Sequence, residues 1–214
     1  MACSDLHPVP AARRLLAALA ATMVLVAAAV APAAPVTYVI RPGEPNRVVF
    51  VSKAPLETFR GHTTAVAGTV QVDPGDLAAP LRVSVAVDLT TLTTDNRKRD
   101  EHMHQKHLET ARFPRGTFRG DRLVDPPAGP IPTDRPLTVQ LAGRLTLHGV
   151  TRERTVPVTL RRMRDGGLAV TAAFPVQLSE HSIKRPRFLV MKLSDTQQVH
   201  LDLRAVPLAG KETP

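Results

Sequence analysis

Cysteine and the larger aromatic side chains are almost absent from this 214-residue chain. It contains one cysteine, no tryptophan and one tyrosine, beside six phenylalanines. Because Cys3 precedes a long apolar run, thiol catalysis, cysteine-ligated zinc and disulfides are excluded from everything that follows that run. So few aromatic rings also offer little surface on which nucleic-acid bases could stack, and we expect no nucleic-acid partner.

Charge is absent from residues 15–34, where alanine, leucine and valine dominate behind Arg13 and Arg14. This order is typical of a secretory signal peptide. The small residues at 31–33 favour cleavage before Ala34, so we expect a signal peptide at residues 1–33 and a periplasmic or secreted mature chain. An uncleaved membrane anchor is the alternative, because about 20 apolar residues can just span a bilayer.

Motifs for nucleophilic catalysis are also missing. His181 lies beside a serine, but adjacency in sequence is not the geometry of a catalytic triad. We therefore expect no catalytic residue, no enzyme activity and no cofactor. The serines that follow the apolar run lack the glycine-flanked turn of an activated nucleophile: Ser52, Ser84, Ser179, Ser182 and Ser194.

Positive charge is in excess over the whole chain, which has a formal net charge of +9. The predicted signal peptide holds only Asp5, Arg13 and Arg14 among the charged residues, so its removal would leave +8. A positive surface suits nucleic acid or anionic lipid headgroups. Export favours the second, and we expect contact with an anionic membrane surface; a homodimer stays open.

Apolar residues alternate with polar ones along most of the mature sequence. Residues 81–89 (LRVSVAVDL) and 137–147 (LTVQLAGRLTL) are examples of this period of two, which predicts half-buried β-strands. We count eight or nine such runs, separated by turn sequences such as DPGD at 73–76 and RDGG at 164–167. Because strands follow strands, the sheet should be antiparallel and closed into a barrel or a sandwich.

Two stretches predict helices. The first is DNRKRDEHMHQKHLET at residues 95–110, with Asp95 or Asn96 as its cap, and the second is a short one at residues 179–183. On a helix, His104 and His107 could share a metal ion, but no further ligand completes the pair at a diagnostic spacing. We interpret both histidines as solvent-facing, expect no metal site, and keep a metal-dependent enzyme acting on a lipid or quinone through this helix as the alternative function.

Five segments together resemble the YceI-like family of bacterial exported proteins. They are DNRKRDEHM with LETARFPRGTF, then LAGRLTLHGVTRERTVPV, and finally HSIKRPRF with MKLSD. The resemblance implies an all-β fold: an eight-stranded antiparallel lipocalin-like barrel with a short helix, at about residues 97–108, near one end. It implies a YceI-like domain at residues 34–208. We expect the tail that follows, at 209–214, to be frayed, as chain ends commonly are.

The same resemblance implies the function. Members of the family hold a long isoprenoid, such as a polyprenyl lipid or a quinone tail, in an apolar barrel cavity, so we expect an exported lipid-binding protein that sequesters or transports such a ligand. The motif at the helix start implies rim or headgroup contacts by Asn96, Arg99, Asp100 and His102. The family pattern, with the strand phase, predicts an apolar lining of Phe50, Val85, Val87, Met103, Leu108, Phe113, Phe118, Leu141, Leu145, Phe174 and Phe188.

Overall fold

The computed structural model describes residues 35–53, 57–185, 187–188 and 191–208. The predicted signal peptide at 1–33, with its anchor alternative, and the predicted tail at 209–214 lie outside these ranges. Within them, no helix is long and apolar enough to cross a membrane. The strands are β1 (Val36–Ile40), β2 (Arg47–Lys53), β3 (Thr58–Thr63), β4 (Val66–Val72), β5 (Arg82–Asp88), β6 (Arg115–Val124), β7 (Leu137–Leu147), β8 (Val150–Arg162), β9 (Leu168–Gln177), β10 (Arg187–Phe188), β11 (Met191–Lys192) and β12 (Thr196–Pro207).

Eight strand positions close into an antiparallel barrel. β1 and β2 both pair with β12 and together fill one position, which is interrupted at residues 41–46. β3 and β4 fill the next position in the same way, and β5, β6, β7, β8, β9 and β12 follow in order. β12 returns to β1 through the pair Ile40 and Ala205, which closes the ring. The predicted eight-stranded antiparallel barrel is confirmed, and β10 with β11 forms a separate small hairpin.

The period of two in the sequence corresponds to the two faces of each strand. In β7, Val139 and Leu141 are buried, whereas Thr138 and Gln140 are exposed. Side chains of successive strand residues point to opposite faces, so one face of each strand lines the barrel interior. Tight turns join several strands, and His148 and Gly149 both adopt positive φ between β7 and β8, at 51° and 74°.

The predicted helix is present between β5 and β6, but it changes type along its length. An α-helix, α1 (Arg97–His102), continues into a π-helical turn at Met103–His107. We call residues 97–107 the mouth helix. The second predicted helix, at residues 179–183, is a single 3₁₀ turn at Ser179–His181.

The two ends of the barrel differ in packing. The helix end carries the mouth helix and the Ser179–His181 turn; the far end carries the connections from β4 to β5, β6 to β7 and β8 to β9. At the far end Leu77 and Ile131 are 1% and 2% exposed, and the Ile131 N–H donates to Pro74 O at 2.9 Å. These buried loop residues fill the far end of the barrel, which is therefore a solid core. Full burial of such a side chain stabilises the fold by about 2 kcal/mol.

β8 and β9 separate toward the helix end. They pair only from Val158 to Arg162 on β8, although β8 extends back to Val150. The Ser179–His181 turn fills the gap: Arg152 Nε donates to Glu180 O at 2.9 Å, and Arg154 forms an ion pair with the Glu180 carboxylate. His181 is fully buried there, and its Nδ1 donates to Val150 O at 3.0 Å. The gap is therefore closed by structural contacts of this turn.

Candidate functional site

A cavity of about 970 Å³ lies between the packed far end and the mouth helix. Ligand-binding pockets typically measure about 300–1,000 Å³, so this one is large for a domain of this size. The strands supply most of its wall, and the wall is apolar. The apolar strand residues that line it are Ile40, Val48, Phe50, Phe59, Val70, Val83, Val85, Val87, Phe118, Leu141, Leu145, Leu147, Val156, Val158, Val170, Ala172, Phe174, Val176, Val199, Leu201 and Leu203.

Glycines let the largest side chains lie against the wall of the barrel. A Cβ at Gly61 would come 2.1 Å from the Phe50 ring, and one at Gly143 would come 2.8 Å from the Phe118 ring. Each ring thus occupies space that a side chain on the neighbouring strand would otherwise fill. The rings line the cavity without crossing it, which keeps the lumen open.

Nine of the eleven apolar residues named from the sequence line this cavity. Phe113 does not: its ring packs on His148, with centroids 4.4 Å apart, and lies where a Cβ at Gly149 would be only 2.7 Å away. It precedes β6, so the alternation of that strand does not reach it. The side chain of Phe188 lies outside the described part of the chain. The nine are Phe50, Val85, Val87, Met103, Leu108, Phe118, Leu141, Leu145 and Phe174.

Sequence reasoning missed other lining residues. Leu201 and Leu203 on β12 follow the same period of two that identified β5 and β7, so their alternation could have shown them. Phe59 on β3 was also visible in the same way. Ile183 had no such signal, because it is a loop residue, yet it lines the cavity and is only 3% exposed.

The π turn determines which residues of the mouth helix face the cavity. Leu108 N–H donates to Met103 O at 2.8 Å, a bond from residue i+5 to residue i. In an α-helix Leu108 would share its stripe with His104, but across this turn it shares it with Met103. Met103, His107 and Leu108 consequently line the cavity, and His104 does not.

The expectation that His104 and His107 face solvent is wrong. His104 Nε2 donates to Leu92 O at 2.9 Å, and its Nδ1 lies 3.4 Å from the Thr110 hydroxyl. His107 Nδ1 donates to Lys184 O at 2.8 Å, which ties the mouth helix to the loop that follows the Ser179–His181 turn. Burial is the main cause that lowers the pKa of His107, with the charges of His102 and Lys106 adding to it. Both rings therefore have structural contacts, and across the described ranges no three His, Cys, Asp or Glu side chains converge as a metal site would require.

Of the four predicted rim residues, Asn96, Arg99 and His102 line the cavity at its mouth. The Asn96 side chain caps α1 by accepting from Arg99 N at 3.1 Å. Arg99 Nη1 donates to Glu57 at 3.0 Å, and its guanidinium lies 4.3 Å from the centre of the Phe59 ring. Arg99 thus fixes the mouth helix to β3 while it borders the cavity.

Asp100, the fourth predicted rim residue, turns away from the cavity. Its carboxylate accepts from Thr93 Oγ1 at 2.6 Å, from Thr94 N at 2.8 Å and from Thr94 Oγ1 at 2.5 Å. Partial burial alone would raise its pKa, but these hydrogen bonds outweigh it and hold the pKa of Asp100 below the ordinary value of 3.8. Asp100 therefore holds the connection between β5 and the mouth helix.

The amino-acid sequence of the chain is similar to those of known proteins. The family model of the YceI-like domain matches residues 38–205. Two curated relatives are UPF0312 proteins: that of Vibrio parahaemolyticus is 28% identical over 107 residues, and that of Vibrio campbellii is 27% identical over 107 residues. Each match covers 50% of this chain and 52% of the relative, so the chain spans about half the length of the curated relatives it matches.

Three solved structures share the fold. Burkholderia cenocepacia BcnA has a TM-score of 0.64 at 20% identity, over 75% of this chain and 96% of that one. A polyisoprenoid binding domain from Saccharophagus degradans has a TM-score of 0.62 at 14% identity, over 81% and 99%. The Campylobacter jejuni YCEI protein has a TM-score of 0.54 at 15% identity, over 70% and 85%. At these identities the likeness establishes the barrel fold.

Proposed function

Because the chain belongs to the YceI-like domain family, we propose that it binds a long isoprenoid chain, of a polyprenyl lipid or an isoprenoid quinone, in the barrel cavity. The observation that carries the proposal is the apolar cavity of about 970 Å³. Its lining comes from a single chain, so binding requires no second copy. The Saccharophagus degradans neighbour is described as a polyisoprenoid binding domain, which supports this class of ligand.

The size of the cavity sets the expected ligand and affinity. At the ~30 Å³ that one water molecule occupies in the liquid, 970 Å³ accommodates roughly thirty non-hydrogen atoms, or about six isoprene units. Ligands of this size gain about 0.3 kcal/mol per non-hydrogen atom, hence about 9 kcal/mol in all. That corresponds to a dissociation constant somewhat below micromolar, without any hydrogen bond to the chain.

The residues divide into two roles in this proposal. The nine apolar side chains named above, together with Phe59 and Ile183, contact the isoprenoid chain. Asn96, Arg99 and His102 contact the headgroup at the mouth, where all three line the cavity. Asp100 positions the mouth helix and does not touch the ligand. This is a binding function, and no contact in the described residues favours the metal-dependent enzyme.

The biological role follows from binding a lipid outside a membrane. We expect the protein to sequester or transport its isoprenoid after export to the periplasm or the cell exterior, in contact with an anionic membrane surface. The apolar run at residues 15–34 supports export, and the positive net charge of +9 supports contact with anionic lipid.

The test of the proposal is to identify the bound lipid. The protein is purified without detergent from cells that make isoprenoids, its mass is measured under native conditions, and solvent extracts are analysed for polyprenyl lipids and quinones. A stoichiometric isoprenoid is the expected result. An empty protein that also fails to take up added polyprenyl lipid or quinone would contradict isoprenoid binding.

Two neighbouring alanines on β9 provide a matched pair of variants. Ala172 lines the cavity, and Ala173 is exposed on the outer face of the same strand. Ala172→Phe should lower the isoprenoid content at least several-fold, because the ring takes up cavity volume, whereas Ala173→Phe should leave it unchanged. Equal isoprenoid content in the two variants would show that the lipid binds elsewhere.

A further inference from the structure

We propose that the mouth helix, with the loop at Lys184, is the surface on which the protein docks to an anionic lipid bilayer. In this orientation the cavity opening faces the headgroups. The inference rests on the proposed function, because such docking lets an isoprenoid pass between bilayer and cavity without crossing bulk water. It adds to that function a defined surface and a defined orientation.

Exposed cations surround the mouth. Arg97, Lys98 and Lys106 are exposed on the mouth helix, and Lys184 is exposed on the loop whose carbonyl accepts from His107. In the part of the chain that the structure describes, none of these four forms an ion pair. Lys98 and His102 also line the cavity, so the opening itself is bordered by basic groups.

Four carboxylates at the same end are neutralised by a neighbouring arginine. Asp95 and Glu101 are the exposed acids of residues 95–107, and Asp95 lies 3.9 Å from the His62 ring. The mouth therefore keeps an excess of unpaired cations. The carboxylates with a cationic partner there are Glu57 with Arg99, Glu109 with Arg112, Glu180 with Arg154, and Asp195 with Arg185.

The far end also carries exposed cations, but they do not border the cavity. The exposed, unpaired charges there, among the described residues, are Arg82, Arg122, Arg135, Arg161 and Arg162, with Asp76, Asp121 and Asp125 between them. The cations of the mouth differ in position, because Lys98 and its neighbours surround the cavity opening. An anionic surface that attracts the mouth would therefore face that opening.

The contact should be electrostatic and not an insertion into the acyl chains. Among the described residues the exposed large apolar side chain is that of Leu208, whose N–H donates to Thr37 O at the far end. Each Lys or Arg near an anionic leaflet gains about fivefold in affinity (~1 kcal/mol). Such attraction is screened by salt, because the Debye length is only about 10 Å at 0.1 M ionic strength.

Co-sedimentation with vesicles tests the surface directly. The wild-type protein should bind vesicles of phosphatidylglycerol and phosphatidylcholine, should ignore pure phosphatidylcholine, and should be released by high salt. The variant Arg97→Glu, Lys106→Glu, Lys184→Glu should bind at least roughly 100-fold more weakly, since three cations are lost. The matched control Arg82→Glu, Arg135→Glu, Arg161→Glu has the same net charge and should bind far more tightly than the mouth variant.

The outcomes separate this surface from the lipid-binding function. Equal losses in the two triple variants would overturn the docking surface, because net charge alone would then explain binding. Wild-type protein that ignores the anionic vesicles, or that binds them regardless of salt, would overturn it as well. None of the six substituted residues lines the cavity, so solvent extracts of the mouth variant should still contain the isoprenoid; loss of isoprenoid from the wild type itself would contradict the proposed function and not the docking surface.

Discussion

Asp100 offers a sharp test of how the mouth helix is held, because its carboxylate accepts three hydrogen bonds from Thr93 and Thr94. Thr94 in turn accepts from Arg99: Nε reaches its hydroxyl at 2.9 Å and Nη2 its carbonyl at 3.2 Å. The carboxylate thus supports the connection before the helix and, through Thr94, the arginine at the rim. We expect Asp100→Asn to weaken both.

The magnitude follows from the hydrogen bonds. Buried bonds to a charged group contribute about 1.5–3 kcal/mol each, but Asp100 is only partly buried, so we take about 1 kcal/mol for each of the three. Asparagine keeps one acceptor oxygen, which can hold the two bonds from Thr94 at Oδ1, but it loses the bond from Thr93 at Oδ2 and the negative charge that strengthens the other two. The expected loss in the free energy of unfolding is therefore about 1–2 kcal/mol. Glu101→Gln is the control, because Glu101 is the next residue of the helix and its side chain is exposed. This substitution should change the free energy of unfolding by less than ~0.5 kcal/mol.

Urea unfolding as a function of pH measures the effect. Since the pKa of Asp100 is lowered by folding, its contribution is present above the ordinary value of 3.8 and is lost as pH falls through the lower folded pKa. The difference between wild type and Asp100→Asn should therefore persist from neutral pH down to that value and shrink below it. A coupling of at least ~0.5 kcal/mol with Thr94→Val is expected in a double-mutant cycle.

Two results would refute this role for Asp100. The first is a loss in Asp100→Asn no larger than in Glu101→Gln, which would mean that the threonines find equivalent partners in water. The second is a pH-independent difference between wild type and Asp100→Asn, which would show that shape and not charge is responsible. Either result would leave the lipid-binding proposal unaffected, because Asp100 does not line the cavity.

Two further predictions concern the contacts around the mouth. Gly149→Ala should lower the free energy of unfolding by about 2 kcal/mol, measured in urea, because its φ is +74° and the new Cβ would lie 2.7 Å from Phe113. Gly129→Ala, at φ +93° with no atom within 4 Å, should cost only the backbone strain; equal losses would contradict the clash with Phe113. The pKa of His107 is lower in the folded protein than its ordinary value of 6.5, chiefly because the ring is partly buried. Its contribution to stability is therefore complete above pH 6.5 and is lost as the pH falls through the pKa of the folded protein. In thermal unfolding, His107→Gln should consequently lose less stability than wild type when the pH is lowered from about 7 to about 5. Some pH dependence should remain in the variant, because burial also lowers the pKa of His181. The same dependence of stability on pH in both proteins would contradict this role of His107.

The barrel could be predicted from the sequence because each strand exposes one face to water and one to an apolar interior. β5 and β7 carry the alternation almost without interruption, and the family motifs supplied the strand count and the closure. The turn residues of RPGEPN at 41–46 mark the break between β1 and β2, but no local pattern shows that the two strands share one position in the barrel. Pairing of both β1 and β2 with β12 depends on residues about 150 or more positions away, which the local pattern does not contain.

The mouth was harder to predict because its contacts are not periodic. A reading at 3.6 residues per turn pairs His104 with Leu108, but the π turn replaces that pair with Met103 and Leu108. Asp100 matched a motif, yet its partners Thr93 and Thr94 lie before the helix begins, so the motif identified an important residue without its hydrogen-bond partners. Phe113 was misplaced for a related reason: it stands two residues before β6, where strand phase no longer applies.

Side-chain volume accounts for an open lumen at one end of a barrel that is solid at the other. An eight-stranded barrel is just wide enough either to be filled by its own side chains or to hold one ligand. At the far end, Leu77 and Ile131 enter from the connecting loops and complete the filling. Valine is the commonest strand residue of the cavity wall, and Phe50 and Phe118 lie over glycines, against the wall. Inward valines such as Val85 therefore stay only half-buried although they belong to the interior, because no side chain in the described part of the chain covers them completely. A hydrocarbon ligand would cover them, and the gain of about 25 cal/mol for each Å² of apolar surface removed from water is the driving force for its binding.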